Sequence, residues 1–313
     1  TEKAKAVTEI EEILGLIEAG DENRVKAIRN FSNPTTLNSC SDNDHFDNAS
    51  LVHVAVKMGD LECLVALQEV GANFFLTCVD EGTPMHWFGE WAHAFHESER
   101  EKAFELLLNG QDKKYLEGVD GDGETALFWA RNSLIGTEFL LKKNASPLML
   151  DAEGMPIIVH ACRCRKEMVA LRYADILCTS PDGRGLLKRP EVMCEIIRHS
   201  PKTALSILDK FCVSNGTRPS GEWIYDFELS LIDPNPKTYK RSEEICPLQL
   251  IVDLELQNIL QHRLVTRVLS NKWNGYVKKR FYFFSILYVV FMASFGRFHF
   301  EDNLWSKYTV SGF

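Results

Sequence analysis

The chain has 313 residues, 45% of them apolar and 25% charged, with a net charge of −9 at neutral pH. That length and apolar content leave room for two domains with real cores, and the acidic balance argues against nucleic acid as the main partner. Nine cysteines at irregular spacings, with no secretory leader ahead of them, predict reduced thiols in a cytosolic region. The three sequons at Asn48, Asn144 and Asn215 then read as chance matches. Thr1 is not an initiator Met, which leads us to expect a natural N-terminus further upstream.

Residues 1–49 are expected to hold a degenerate unit and a loop: Ile10 to Ala19 as one helix, a Gly20-Asp21 turn, and Val25 to Arg29 as a second helix. Between residues 50 and 180 a start motif recurs. Ser50-Leu51-Val52-His53-Val54-Ala55 returns as Thr83-Pro84-Met85-His86, again as Thr125-Ala126-Leu127-Phe128-Trp129-Ala130, and in worn form as Pro156-Ile157-Ile158-Val159-His160-Ala161. The starts lie 33, 42 and 31 residues apart, which resembles the ankyrin repeat, a turn and two antiparallel helices with a period of about 33 residues. Local physics agrees. Ser or Thr caps a helix, Pro fits its first turn, and small Ala lets paired helices approach. Gly71 can supply the left-handed residue that ends a second helix. The longest spacing predicts an extended first helix or loop around Glu90 to Glu97. Such units bury their faces only against their neighbours, as a one-dimensional solenoid.

Candidate chemistry is sparse. His86, His93 and His96, or His160, Cys162 and Cys164, could in principle converge on a metal, but no CxxC pair is present. Asp120, Asp122 and Gly123 start like a calcium loop; position 12 of that loop is Arg131 instead of Glu, so the expected element is a tight turn. No phosphate-binding glycine loop, nucleophile elbow or HExxH motif occurs. We therefore expect no enzyme, no cofactor and no metal site.

Beyond residue 180 the repeat pattern fades. Residues 181–246 read as a linker with two short helices, Glu191 to His199 and Lys202 to Phe211, each led by a proline, then a turn cluster from Ser214 to Gly221. Trp223, Tyr225, Phe227, Leu229 and Leu231 alternate with Ile224, Asp226, Glu228 and Ser230, the period of a strand. Residues 247–280 read as helices that run towards a membrane. Phe281 to Phe295 is 15 residues without a charge, short of the roughly 20 that cross a hydrocarbon core, so residues 281–300 together are the expected transmembrane helix. Lys272, Lys278, Lys279 and Arg280 precede it while Glu301 and Asp302 follow, which places residues 1–280 in the cytosol and 301–313 outside.

From Pro201 to Cys212, through Ile224-Tyr225-Asp226-Phe227, Pro247-Leu248 and Asn258-Ile259-Leu260-Gln261-His262, to Lys272-Trp273-x-x-Tyr276, the sequence resembles the ankyrin-type transient receptor potential channels. The stretch from Cys212 to Pro219 is most like their insect members. Arg263 departs from the pattern, since relatives place Pro after His262. The resemblance implies a sensory, calcium-permeable cation channel that assembles as a tetramer of identical subunits in the plasma membrane. This chain would supply its cytosolic sensing and coupling part, and the pore would lie outside the fragment. Its expected partners are identical subunits, the lipid bilayer, permeant cations in the whole channel and proteins docking on the repeats. The expected fold is mainly α: an ankyrin solenoid, a helical linker with a short β-strand and one transmembrane helix. A membrane-tethered ankyrin adaptor is the alternative. Coupling candidates are Trp273, Tyr276, Trp223, Tyr225 and Phe227. In the family, reactive cysteines lie in the corresponding linker; here Thr203 takes one such place and Cys194 falls about three residues from another. Cys212, one residue from a third, is the candidate reactive thiol with Lys210 nearby in sequence, but a buried thiol is the expected case, with weak or absent response to isothiocyanate-type compounds.

Overall fold

The structure, a computed structural model, describes the backbone of residues 2–31, 37–41, 49–78, 82–108, 110, 113–217, 223–233 and 246–309. It describes the side chains of the same residues except 2–8, 113–114, 213–227, 276, 296 and 298–309.

The described chain is mainly helical and builds an α-solenoid. Its helices come in antiparallel pairs: α1 (Glu2–Ala19) with α2 (Arg24–Arg29), α3 (Leu51–Lys57) with α4 (Leu61–Glu69), and α5 (Pro84–Trp91) with α6 (Glu97–Leu108). Next come α7 (Ala126–Trp129) with α8 (Leu134–Lys142), and α9 (Ile157–Arg163) with α10 (Glu167–Thr179). The first helices form one row, α1 on α3, α3 on α5, α5 on α7 and α7 on α9; α2 packs on α4, α4 on α6 and α8 on α10 in the other. Each pair leaves an apolar face that only the next pair covers, so the core is a continuous band from Ile10 to Val268.

That row continues past residue 180. Helix α11 (Pro181–Leu187) folds back on α10; then α12 (Pro190–His199) packs on α9 and α13 (Pro201–Lys210) on α10. Both start on a proline at the first helical turn, where the missing N–H costs no hydrogen bond. This pair lacks the start motif, which is why the periodicity fades while the stacking does not. Helix α14 (Pro247–Asp253) packs on α12 in turn and leads to α15 (Gln257–Leu260).

The long spacing between the second and third starts is placed differently from expectation. Helices α5 and α6 begin 13 residues apart, against 10 for α3 and α4. Most of the extra length follows instead, in the 12-residue helix α6 and a 3-10 turn over Lys113–Glu117.

Polar stitches fix the stacking. Ring Nε2 of His53 donates to the Gly82 carbonyl at 3.2 Å and its Nδ1 faces Ser50 Oγ at 2.7 Å. His86 repeats this one unit on, with Nδ1 at Thr83 Oγ1 (2.9 Å) and Nε2 at 3.2 Å from the carbonyls of Gly118 and Glu124. In the third unit Trp129 Nε1 donates to Asp120 Oδ2 at 2.6 Å, and in the fourth His160 Nε2 meets Asp151 Oδ2 at 2.6 Å. Oδ1 of Asp120 also accepts from the backbone N–H groups of Asp122 (3.0 Å) and Glu124 (2.8 Å). The calcium-like triplet is therefore the tip of a tight turn, closed by the Val119–Thr125 bridge. Gly123 sits there at φ +77° with the next turn's backbone against it: a Cβ would lie 2.8 Å from Ala152 N.

One expectation about thiols is overturned. Cys40 and Cys78 are joined in a disulfide across a Cα–Cα distance of 6.2 Å. The Asn73 N–H donates to Asn38 Oδ1 at 2.7 Å, so the two segments lie side by side.

Two strands follow α13. β1 (Cys212–Thr217) pairs antiparallel with β2 (Trp223–Phe227), Cys212 opposite Phe227, with an irregularity between Ser214 and Thr217. The expected strand was longer: Leu229–Leu231 turns into a 3-10 helix that buries Leu231, because its apolar side chain is drawn to the solenoid end. Helix α16 (Arg263–Lys272), a π-turn over Trp273–Val277 and helix α17 (Lys278–Thr309) end the described residues as one unbroken helical run.

Candidate functional site at the end of the solenoid

Helix α16 is amphipathic. Leu264, Val265 and Val268 are buried, while Arg267 and Leu269 on its other side are exposed. It packs against the 3-10 turn over Leu229–Leu231. Its start is held by His262, whose Nδ1 accepts the Leu264 N–H at 3.2 Å and whose Nε2 lies 3.1 Å from Asp209 Oδ1 at the end of α13. His262 is extended (ψ 140°) and Arg263 takes the first helical position, a geometry that proline would also fit. The helix break therefore survives without proline. At the other end Lys272 Nζ pairs with Asp233 Oδ1 at 2.7 Å. Behind these contacts, Cys246 Sγ faces the carbonyl of buried Ile232 at 3.5 Å, and Lys188, just after α11, pairs with Glu228 just after β2. A clamp of two polar ties and three buried side chains thus joins α16 to the end of α13 and to the 3-10 turn segment over Leu229–Asp233.

Cys212 sits inside this clamp, half-buried where α13 passes into β1. Burial pushes its thiol up, Asp209 adds to that, and Arg263 and the Leu264 N–H oppose it. Lys210 is turned away to pair with Asp175 of α10, and the cation acting on Cys212 is Arg263. Cys194 is buried in α12 with its thiol pushed up to about 12, by burial first; Thr203 is fully buried in α13.

The coupling candidates fall on both sides of α16. Trp273 opens the π-turn, is 42% exposed, and has its ring 5.7 Å from that of Phe281. Tyr276 lies in the same turn, with its side chain outside the described residues. Trp223, Tyr225 and Phe227 are placed in β2 by backbone alone, their side chains likewise outside. Of the imagined metal ligands, His86 and His160 have their rings engaged as above, Cys162 is buried and Cys164 exposed. No group of three or more metal-ligating side chains exists among the described residues.

After the π-turn the chain changes character. Phe281, Phe283, Phe284, Ile286, Leu287, Val289, Val290, Phe291 and Phe295 are all exposed, so residues 281–295 of α17 are apolar on every side rather than along one stripe. Among the described residues, no helix is long and apolar enough to cross a membrane. The charge-free run of α17 between Arg280 and Arg297 is the 16 residues from Phe281 to Gly296.

Sequence reasoning singled out Trp273 and Cys212 as candidates and did not anticipate His262–Asp209 or Lys272–Asp233. Both pairs link residues far apart in the chain, and single-sequence periodicity carries no signal for that. No protein family matches the chain, and no curated protein matches it.

Proposed function

We propose that this chain is the cytosolic ankyrin-repeat and coupling region of a sensory, calcium-permeable cation channel, with the pore outside the fragment and four identical subunits per channel. The carrying observation is the continuous path from α16, clamped at the end of the solenoid, through the π-turn into a helical stretch, residues 281–295, exposed and apolar all round. An apolar helix with no covered face needs lipid or protein around it. Lys278, Lys279 and Arg280 at its start favour cytoplasmic retention of residues 1–280, and residues 281–300 then form the transmembrane helix. The recurring helix starts with Thr, Pro and His, and turns such as Asp120–Gly123, support the ankyrin reading of the solenoid.

On this reading, movement of the stacked units reaches the membrane through α16, since a rigid helix clamped at both ends transmits displacement along its axis. Trp273 sits where indole rings settle among headgroups. Trp223, Tyr225 and Phe227 belong to the hairpin beside the clamp. No catalytic step is assigned to any residue.

The test has two arms. A glycosylation acceptor introduced after residue 300 should be modified in microsomes while one in the α5–α6 turn stays unmodified; modification of neither removes the membrane span. In cells expressing the complete reading frame, heat ramps and chemical agonists should evoke cation current, and Trp273→Ala should lower that current more than surface expression. Insertion without any current identifies a tethered adaptor instead.

A further inference from the structure

The disulfide contrasts with the four thiols of the solenoid core. Cys63, Cys162, Cys178 and Cys194 are buried, with burial raising each thiol. Cys40 and Cys78 instead lie half-buried in loops, where a small thiol can reach them. They are held as a pair by more than their own bond. Asn38 Oδ1 accepts the Asn73 N–H, and Ser41 N–H donates to the Ala49 carbonyl at 2.9 Å just before α3. The Cys78 N–H donates to the Gly82 carbonyl at 3.2 Å, and that same oxygen accepts from His53 Nε2. Cys78 thus adjoins the stitch between the α3–α4 and α5–α6 pairs, and Cys40 belongs to the segment that enters α3.

We propose that Cys40 and Cys78 form a redox-operated clasp, opened and closed by thiol–disulfide exchange with a low-molecular-weight thiol of the glutathione class, which tightens or loosens the first units of the solenoid. To open it, the small thiolate attacks one sulfur, forms a mixed disulfide and expels the other cysteine as a thiolate, which takes up a proton. A second small thiol then attacks the mixed disulfide, releasing the remaining protein thiol and a small-molecule disulfide. Two electrons and two protons have passed to the protein. Closing is the reverse, with the small-molecule disulfide as oxidant. Exchange at this pair is favoured by access, whereas a core disulfide resists reduction. Closing restricts the unfolded chain over a separation of 38 residues, so its effect falls on α3 and α4, which lie between the two cysteines. The inference does not depend on membrane insertion.

The full chain, purified in detergent, would be equilibrated with glutathione buffers of increasing reduced-to-oxidised ratio, quenched in acid, alkylated and mapped. Cys40 and Cys78 should pass together from bonded to alkylated within the series. Amide exchange in residues 51–57 and 61–69 should speed up about tenfold or more on opening. Cys78→Ser should exchange like the reduced parent in every buffer; if it fails to fold, the reduced parent alone gives the comparison. A pair that stays bonded throughout, a pair that never bonds, or exchange rates unmoved by reduction would each overturn the proposal.

Discussion

The His53 ring is fully buried, with a carbonyl on one side and a hydroxyl on the other. A carbonyl can only accept, so Nε2 carries the proton and the neutral ring is the one that folds. Burial lowers its pKa from 6.5 to about 4. Below pH 6.5 the unfolded chain takes up a proton that the folded ring refuses. The ring's contribution is thus complete above pH 6.5 and declines as pH falls towards 4, by about 3 kcal/mol in all. His53→Gln should show a shallower fall in urea midpoint between pH 7.5 and pH 4.5 than the parent; equal slopes would refute this. Cys212 makes the opposite kind of prediction. With its thiol pushed up by burial, little thiolate forms at neutral pH. Isothiocyanate-type reagents should label exposed Cys164 before Cys212, as read by peptide mapping, and fast labelling of Cys212 would make it the reactive site after all.

At the level of elements, glycine decides how closely helices approach. A Cβ on Gly89 of α5 would lie 2.1 Å from the Ala126 carbonyl oxygen, and one on Gly136 of α8 the same distance from that of Gly89. Backbone occupies both places, so nothing flexible can yield. Gly89→Ala should destabilise by about 1–3 kcal/mol, seen as a lower thermal midpoint. Gly15 lies inside α1 with nothing within 4 Å of an added Cβ, so Gly15→Ala should stabilise by about 0.5–1 kcal/mol through helix propensity. The two substitutions are chemically identical, and only the neighbouring helix gives them opposite signs. The start motifs were legible because capping and helix entry are local. Gly89 was not, because the backbone it must admit belongs to the next unit.

Across the molecule, the clamp on α16 ties the helical run to the α13 end of the solenoid. Val268 is 1% exposed there, with Leu264 and Val265 beside it. Val268→Asp buries a charge with no partner and should cost about 3 kcal/mol or more. Amide exchange should then rise in residues 247–272 while residues 51–210 keep their protection. Leu269→Asp, on the 38% exposed side of the same helix, should change little. A uniform loss of protection in Val268→Asp would mean that α16 stabilises the entire stack rather than closing its end.

The sequence by itself marked where the helices of the repeating units start, because caps and prolines act within a few positions. It also marked the charge-free run from Phe281 to Phe295, whose composition needs no partner to be read. Only the tertiary structure decided that α12 and α13 continue the stack, that Lys210 turns to Asp175, and that Cys40 meets Cys78. Each of these joins residues separated by some thirty positions or more in the chain. Their energy comes from surfaces that exist only once neighbouring units have packed, and no local pattern of residues encodes them.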